Sequence, residues 1–585
     1  MSFSRYYQDE LAYLRDLGAE FAQENPTLAP FLARDASDPD VERLIEAFCF
    51  LTARIRQKLD DELPELSHSL VSLLWPNLLR PFPAMTILEL EPQAGAVSET
   101  QSLPPGCAFQ SEPVDGTSCV FRNPHAGDIH PVRLAQASME SMGDQSRLSA
   151  VLTPINGARL DTLRLDPLRF HLNFERDSGV GRQLLYRLTR RLRRVSVSLP
   201  DGRTLHLPAS ALRPVGFTRG EQLLPQSPQS FHGHILLQEY LLFPEKFLFF
   251  DLVGLAQAGP QPRGDWTIRF ELDGPADETA RLVTANLRIN CVPVVNLFPL
   301  EATPLDISQA KTEYRLLPAA ARPQHYGIFS IDHVTGWVRD RGERVDYSAF
   351  ESFLHAIDDG RRSSTYYHVR RKPAVARDGI DTFLALVDET RHAVERRPEI
   401  VSVAMTCSNA TLAEMVPVGG VNRATATSPT YARFRNISPV SPQALPPLDV
   451  QLLWRLIANL AVSAGSLTDI AALRTLIGSL DFVALQDQRA RRRLELRLEA
   501  LRGIEAKPSD LRMPAGYLLR GTEISLIVDE ARLGGSGEAF LLGSVLNAFF
   551  GEASNINSFH KLRLCGGDSN WRCDWPVRVG GGAAP

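Results

Sequence analysis

A chain of 585 residues is too long for one hydrophobic core, so several domains are expected. Its 44% hydrophobic and 22% charged residues are those of a folded globular protein and exclude global disorder. A formal net charge of -5 gives no electrostatic case for nucleic acid or a membrane surface as partner. The seven cysteines (Cys49, Cys107, Cys119, Cys291, Cys407, Cys565, Cys573) lack CxxC spacing. That argues against a zinc ribbon or a disulfide framework and for reduced thiols in a cytoplasmic protein. No basic-then-apolar leader opens the sequence, so no signal peptide is expected. Only six of the 63 basic residues are lysine, and arginine's planar fork suits multivalent contacts between proteins.

Residues 1–80 read as helices. Phe3, Tyr7, Leu11, Leu14, Leu17 and Phe21 recur every three or four positions and form one apolar stripe, closed by Asn25-Pro26. Asp38-Pro39 reads as an N-cap followed by proline at the first helical position. Val41, Leu44, Ile45, Phe48, Leu51, Ile55 and Leu59 make a second stripe, punctuated by Leu63-Pro64, and Leu66, Leu70, Leu73 and Leu74 carry a third segment to Trp75-Pro76. Three such stripes make either a self-contained bundle or helices offered to helices of another chain. Tyr7, Leu11, Leu14, Phe21, Phe48 and Ile55 are the candidate contact residues on that second reading.

From Arg80-Pro81 to about residue 440 the texture is that of strands and turns. MTILELEP, RLRRVSVSLPDGRTLHLP and DWTIRFELDGP alternate apolar with polar residues and end in turn formers. Residues 236–255, LLQEYLLFPEKFLFFDLVGL, are far more apolar and aromatic than their surroundings. Pro244-Glu245-Lys246 interrupts them, which excludes a membrane span of about 20 apolar residues and disfavours one long helix. So much aromatic surface must be buried within the chain or against a partner. NCVPVVNLFPLEATP (290–304) reads as an extended joining segment. After Pro446-Pro447 the pattern is mixed: helices over 452–465, 491–503 and 539–554, a strand over 520–530, an Arg491–Glu495 pair at i,i+4, and a loose tail over the last dozen residues. The expected fold is therefore α+β and multidomain. It comprises an N-terminal helical region (1–80), two central β-rich domains (81–290 and 291–440) and a mixed α/β C-terminal domain (441–585).

The sharpest chemical candidate is His232, His234 and Glu239. On a strand, two histidines two apart share a face, and a carboxylate could complete a facial metal site of the cupin kind. Gln226 and Lys246 stand where that pattern wants glycines, so a chance pair of strand histidines is the simpler explanation. No G-x-S-x-G elbow, P-loop or dinucleotide-binding fingerprint is present. Asp60, Asp61 and Glu62 read as a solvated run. Arg187, Arg190, Arg191, Arg193 and Arg194, with Arg491, Arg492 and Arg493 next, read as a solvated face or a protein interface, because a nucleic-acid patch wants a wider basic field and several stacking aromatics, and Tyr186 is the only one close by. His325-Tyr326 and Tyr366-Tyr367-His368 are candidates to line a groove. No catalytic residue, metal or cofactor is assigned.

Long ordered segments resemble one family over essentially the full length. They are YYQDELAYLRDLGAEFAQENPTLAP, DPDVERLIEAFCFLTARIRQKLDDELPELSHSLVSLLWPNLLRPFPAM, the 236–255 and 290–304 stretches, TEYRLLP, VAMTCSNATL, LLWRLIANL, RGTEISLIVDE and ASNINSFHKL. The family is TssF (ImpG/VasA), the baseplate wedge subunit of bacterial type VI secretion systems. The resemblance implies a non-enzymatic role without cofactor, nucleic acid or direct membrane insertion. It implies a wedge of two TssF copies with one TssG, placed around the VgrG spike hub. The TssK adaptor would join that wedge to the membrane complex at the cytoplasmic side of the inner membrane, and a TssE-like subunit and the sheath would assemble on it. In such machines helices from several chains share a core bundle. The competing reading is a metal-dependent β-barrel enzyme built on His232, His234 and Glu239.

Overall fold

The computed structural model describes residues 7, 8, 11 and 39–580, apart from 175–177, 226–230, 277–283, 308–312, 339–342, 351–364, 375–378, 389–398, 449–468 (Leu453 aside), 513–515, 517 and 555–556. A long helix, α1 (Pro39–Leu74), starts at the proline that fits a first helical position. The break expected at Leu63-Pro64 does not occur, and the second and third expected helices are one. Pro64 removes a single ladder bond, which the turns on either side outweigh.

Proline and β-rich sequence then builds, among the described residues, four larger sheets and a two-stranded one pairing Gln101–Leu103 with Gly127–Ile129. A six-stranded sheet has the order Val421–Ala424, Ala108–Val114, Thr117–Arg122, Cys291–Val295, Met85–Pro92, Ala432–Asn436, so strands from both sides of position 290 share it. Alternation in these strands buries Leu88, Leu90, Phe109, Phe121, Val294 and Phe434 as one cluster. A five-stranded sheet (Thr204–Pro208, Leu192–Ser198, Trp266–Asp273, Gln145–Pro154, Val132–Met142) lies in the same large core as a four-stranded one (Leu212–Pro214, Phe249–Leu252, Leu168–Leu172, Leu287–Ile289). Helices α2 (Ser178–Arg190) and α3 (His232–Leu242) join that core. All strands of the eight-stranded sheet lie between Phe298 and Ser408. The 290–304 stretch is extended, as its prolines require, and passes from the six-stranded sheet at Val295 to the eight-stranded sheet at Phe298.

The C-terminal region carries α4 (Ile470–Leu480), α5 (Gln488–Ala500) and α6 (Ser536–Ala553). Leu518–Val528, α6 and Ser558–Gly566 form a parallel β-α-β unit. The helix expected over 491–503 ends at Ala500, and Leu501 opens a strand instead. Arg491 donates to the Ala484 and Leu485 carbonyls rather than pairing with Glu495. Of the helix expected over 452–465, only Leu453, helical and buried, falls among the described residues. The tail is ordered further than expected: Arg578–Val579 pairs with His560–Phe559, which satisfies part of that strand's free edge.

One apolar cluster runs from Val71 to Trp575 and joins the end of α1, the five- and four-stranded sheets and the C-terminal helices. At its centre stands α3, buried on every side. Phe231, which precedes it, packs edge-on against Phe549 of α6 with ring centroids 5.3 Å apart. Gly537, in the first turn of α6, meets the α2 backbone so closely that a Cβ there would overlap Gln183 N.

Candidate functional site

The metal reading of His232, His234 and Glu239 fails on geometry. The segment is a helix, not a strand, so positions two apart point to different sides, roughly 200° around the axis. His232 touches the Gln222 amide, while His234 stacks on Trp75 with ring centroids 4.3 Å apart. Burial pushes the two imidazoles down, His232 to about 4 and His234 to about 3, so both are neutral near pH 7. Glu239 accepts the Leu223 backbone N–H at 2.7 Å and forms a fully buried ion pair with Lys246. Its charge is thus consumed by a lysine seven residues on, brought back by the turn at Pro244–Phe247. Among the described residues no group of three or more His, Cys, Asp or Glu could hold a metal ion.

The first arginine cluster is divided: Arg191, Arg193 and Arg194 are exposed, as a solvated face requires, while Arg187 and Arg190 turn inward. Arg187 is buried and donates to Ser146 Oγ and to the Gly274 and Pro275 carbonyls. Arg190 lies over the Phe540 and Trp575 rings at 5.4 and 5.2 Å. Arg193 and Arg194 pair with Asp273 and Glu271. Glu538 is a node the sequence did not announce. This buried carboxylate of α6 takes Arg182 of α2 at 2.5 Å, Arg497 of α5 at 3.2 Å and the Tyr240 hydroxyl of α3 at 2.6 Å. Four helices far apart in sequence meet on it, and no local spacing signals that. The groove expected near Tyr326 and His368 exists: both line a cleft of about 1460 Å³ between the eight-stranded sheet and residues 442–448 and 483–487. His325 turns instead to Thr117 Oγ1 at 2.8 Å.

Among the described residues, a helical row of exposed apolar side chains lies on α1. Leu44, Phe48 and Leu51, at i, i+4 and i+7, share one face and are 71%, 59% and 58% exposed. Phe50 beside them is exposed too, whereas Cys49 and Ala53 are buried. Of the candidate contact residues, Phe48 is in this stripe and Ile55 continues the same helix. Tyr7 and Leu11 are helical and half-buried, and Leu14 and Phe21 lie outside the described residues. Leu44 and Leu51 were legible as stripe members, but periodicity alone does not say which stripe stays uncovered. No helix among the described residues is long and apolar enough to cross a membrane.

The chain as a whole is matched by known proteins. A family model described as "Type VI secretion system, TssF" matches residues 1–582. The chain belongs to the TssF family. It is 31% identical to the type VI secretion system component TssF1 of Pseudomonas aeruginosa, over 98% of both chains. It is also similar to a chain of a TssK-TssF-TssG baseplate subcomplex solved by cryo-electron microscopy (TM-score 0.76, 28% identity, 92% of this chain and 98% of that one). A chain of a type VI secretion baseplate complex matches with TM-score 0.61 and 27% identity, over 99% of this chain and 100% of that one. TssF is a structural baseplate family, not an enzyme family.

Proposed function

We propose that this chain is a structural subunit of a type VI secretion baseplate wedge, and that the Leu44, Phe48 and Leu51 face of α1 is where it joins helices of a TssG-like chain. The observation carrying this is the exposure of three large apolar side chains in one helical row, on a protein whose other greasy stretch is buried inside itself. Burying one such side chain contributes about 1.5–3 kcal/mol, so a row of them is a surface with a strong drive to be covered. Relatives resolved with TssK and TssG support those two as partners. In this reading two copies pair with one TssG, TssK joins the wedge to the membrane complex at the cytoplasmic side of the inner membrane, and the VgrG hub, a TssE-like subunit and the sheath complete the platform. Residues 1–80 supply the shared bundle and Tyr7, Leu11, Leu14, Phe21 and Ile55 extend its contact surface. The β-rich regions (81–290 and 291–440) and the C-terminal domain (441–585) form the body.

Co-expression with TssG-like and TssK-like chains, followed by native mass measurement, tests this. The expected result is a complex holding two copies of this chain per TssG-like chain. A stable monomer that ignores both partners would overturn it.

A further inference from the structure

The eight-stranded sheet is an insertion. Every strand of it lies between Phe298 and Ser408, while the strands just before and after it, Cys291–Val295 and Val421–Ala424, belong to the six-stranded sheet. Its first and last strands pair with each other, Phe298 opposite Cys407, so the chain enters and leaves at one place. It also has a core of its own: Phe298, Val334, Leu384, Val403 and Met405 are among a buried cluster drawn wholly from 298–407. A separate core with adjacent entry and exit points is the anatomy of a domain inserted into another.

The two crossings are tied to each other. Asn296 stands on the way in and Asn409 on the way out, and both are fully buried. Asn296 Nδ2 donates to Asn409 Oδ1 at 2.9 Å, and the Asn409 backbone N–H donates to Asn296 Oδ1 at 2.6 Å. Both also hold Val120 of the six-stranded sheet: Asn296 Nδ2 donates to its carbonyl at 2.7 Å, and its N–H donates to Asn409 Oδ1 at 3.0 Å. Away from this clasp the joint is also held by Phe329, a buried ring of the insertion that belongs to the large apolar cluster, and by polar contacts at the rim. Asp115 faces His325 at 3.3 Å and Arg322 at 3.5 Å, and Arg80 lies over Phe329 at 5.2 Å. On one flank the cleft of about 1460 Å³ separates Tyr326–Ile328 and His368–Pro373 from Pro442–Leu448 and Val483–Asp487.

We propose that the strands of the eight-stranded sheet, from Phe298 to Ser408, move as one unit about the Asn296–Asn409 clasp, which sets the angle of the inserted domain and thereby the width of the cleft. The physics favours a hinge there. Both covalent connections pass through one point, the domain brings its own core, and open space lies beside it. The clasp is a buried amide pair whose loss leaves backbone groups unpaired, so it holds one angle firmly while intact.

Spin-label distances in the full-length chain test this. One pair spans the joint (Glu140→Cys with Arg344→Cys) and a control pair lies within the insertion (Leu317→Cys with Arg344→Cys), both in a Cys565→Ser background because the other six cysteines are buried. Asn296→Ala and Asn409→Ala are each expected to shift and broaden the distance distribution across the joint and to leave the control pair unchanged. Either of two results overturns the proposal: an unchanged distribution across the joint in both variants, or equal broadening of the control pair, which would show loss of fold rather than a pivot.

Discussion

Two helices of this chain carry comparable apolar content and meet opposite fates. In α3, nearly every residue from His232 to Leu242 is covered by the chain's own α6, sheets and C-terminal helices. In α1, a row of leucine and phenylalanine faces solvent. The difference is in what surrounds the apolar residues. HGHILLQEYLL has no polar face to give to water, and its Glu239 and Tyr240 are met internally by Lys246 and Glu538. VERLIEAFCFLTARIRQ mixes charges into the stripe, so the helix stays soluble while its apolar row waits for a cover. Apolar density therefore marks burial, and amphipathic pattern marks an available surface.

The largest effect is expected from breaking the α3 side at its ionic node. Glu538→Ala leaves the half-buried Arg182 and Arg497 without their carboxylate beside an unpaired, buried Tyr240 hydroxyl and should destabilise by about 3 kcal/mol in urea unfolding. Unchanged stability would mean the node is ornamental to the core. Next, Gly537→Ala drives a methyl into the α2 backbone and should cost about 1–3 kcal/mol, read by the same melt.

The pH dependence comes third. His130, His232 and His560 are held at about 4, and His171 and His234 at about 3, mainly by burial. Unfolded, each takes up a proton near 6.5. Their folded values lie below that, so stability is complete above about pH 6.5 and falls as pH drops towards 4, by up to about 1.4 kcal/mol per pH unit for each histidine. His234→Phe, which keeps a ring on Trp75, should flatten that slope, and an unaltered slope would remove His234 from the acid response. The smallest effect sharpens the α1 side: Phe48→Asp should change stability by no more than about 0.5 kcal/mol, because its side chain touches solvent. A loss of several kcal/mol would place Phe48 in this chain's own core.

The secondary structure was legible where one face is apolar and the other polar. Leu518–Val528 and Ser536–Ala553 follow from alternation and from an apolar run behind Gly534, whose φ of +105° suits only a glycine well. The α3 segment was misread as a strand because a helix buried all round has no 3.6-residue signal, and His-Gly-His imitates period two. Pro64 reads as a stop in sequence because local propensity does not count the turns flanking it. The Glu538 node and the Asn296–Asn409 clasp were out of reach for another reason. Tyr240 and Glu538 are 298 residues apart, and Asn296 and Asn409 are 113 apart, so only the fold brings them together. Nor does sequence order tell that Val421–Ala424 lies beside Ala108–Val114.

The most direct test of the account is the mass of the complex formed when a Leu44→Asp, Phe48→Asp, Leu51→Asp variant is co-expressed with TssG-like and TssK-like chains. The account predicts a variant that melts at the wild-type temperature yet no longer holds the TssG-like chain. A complex of wild-type mass and composition would contradict it.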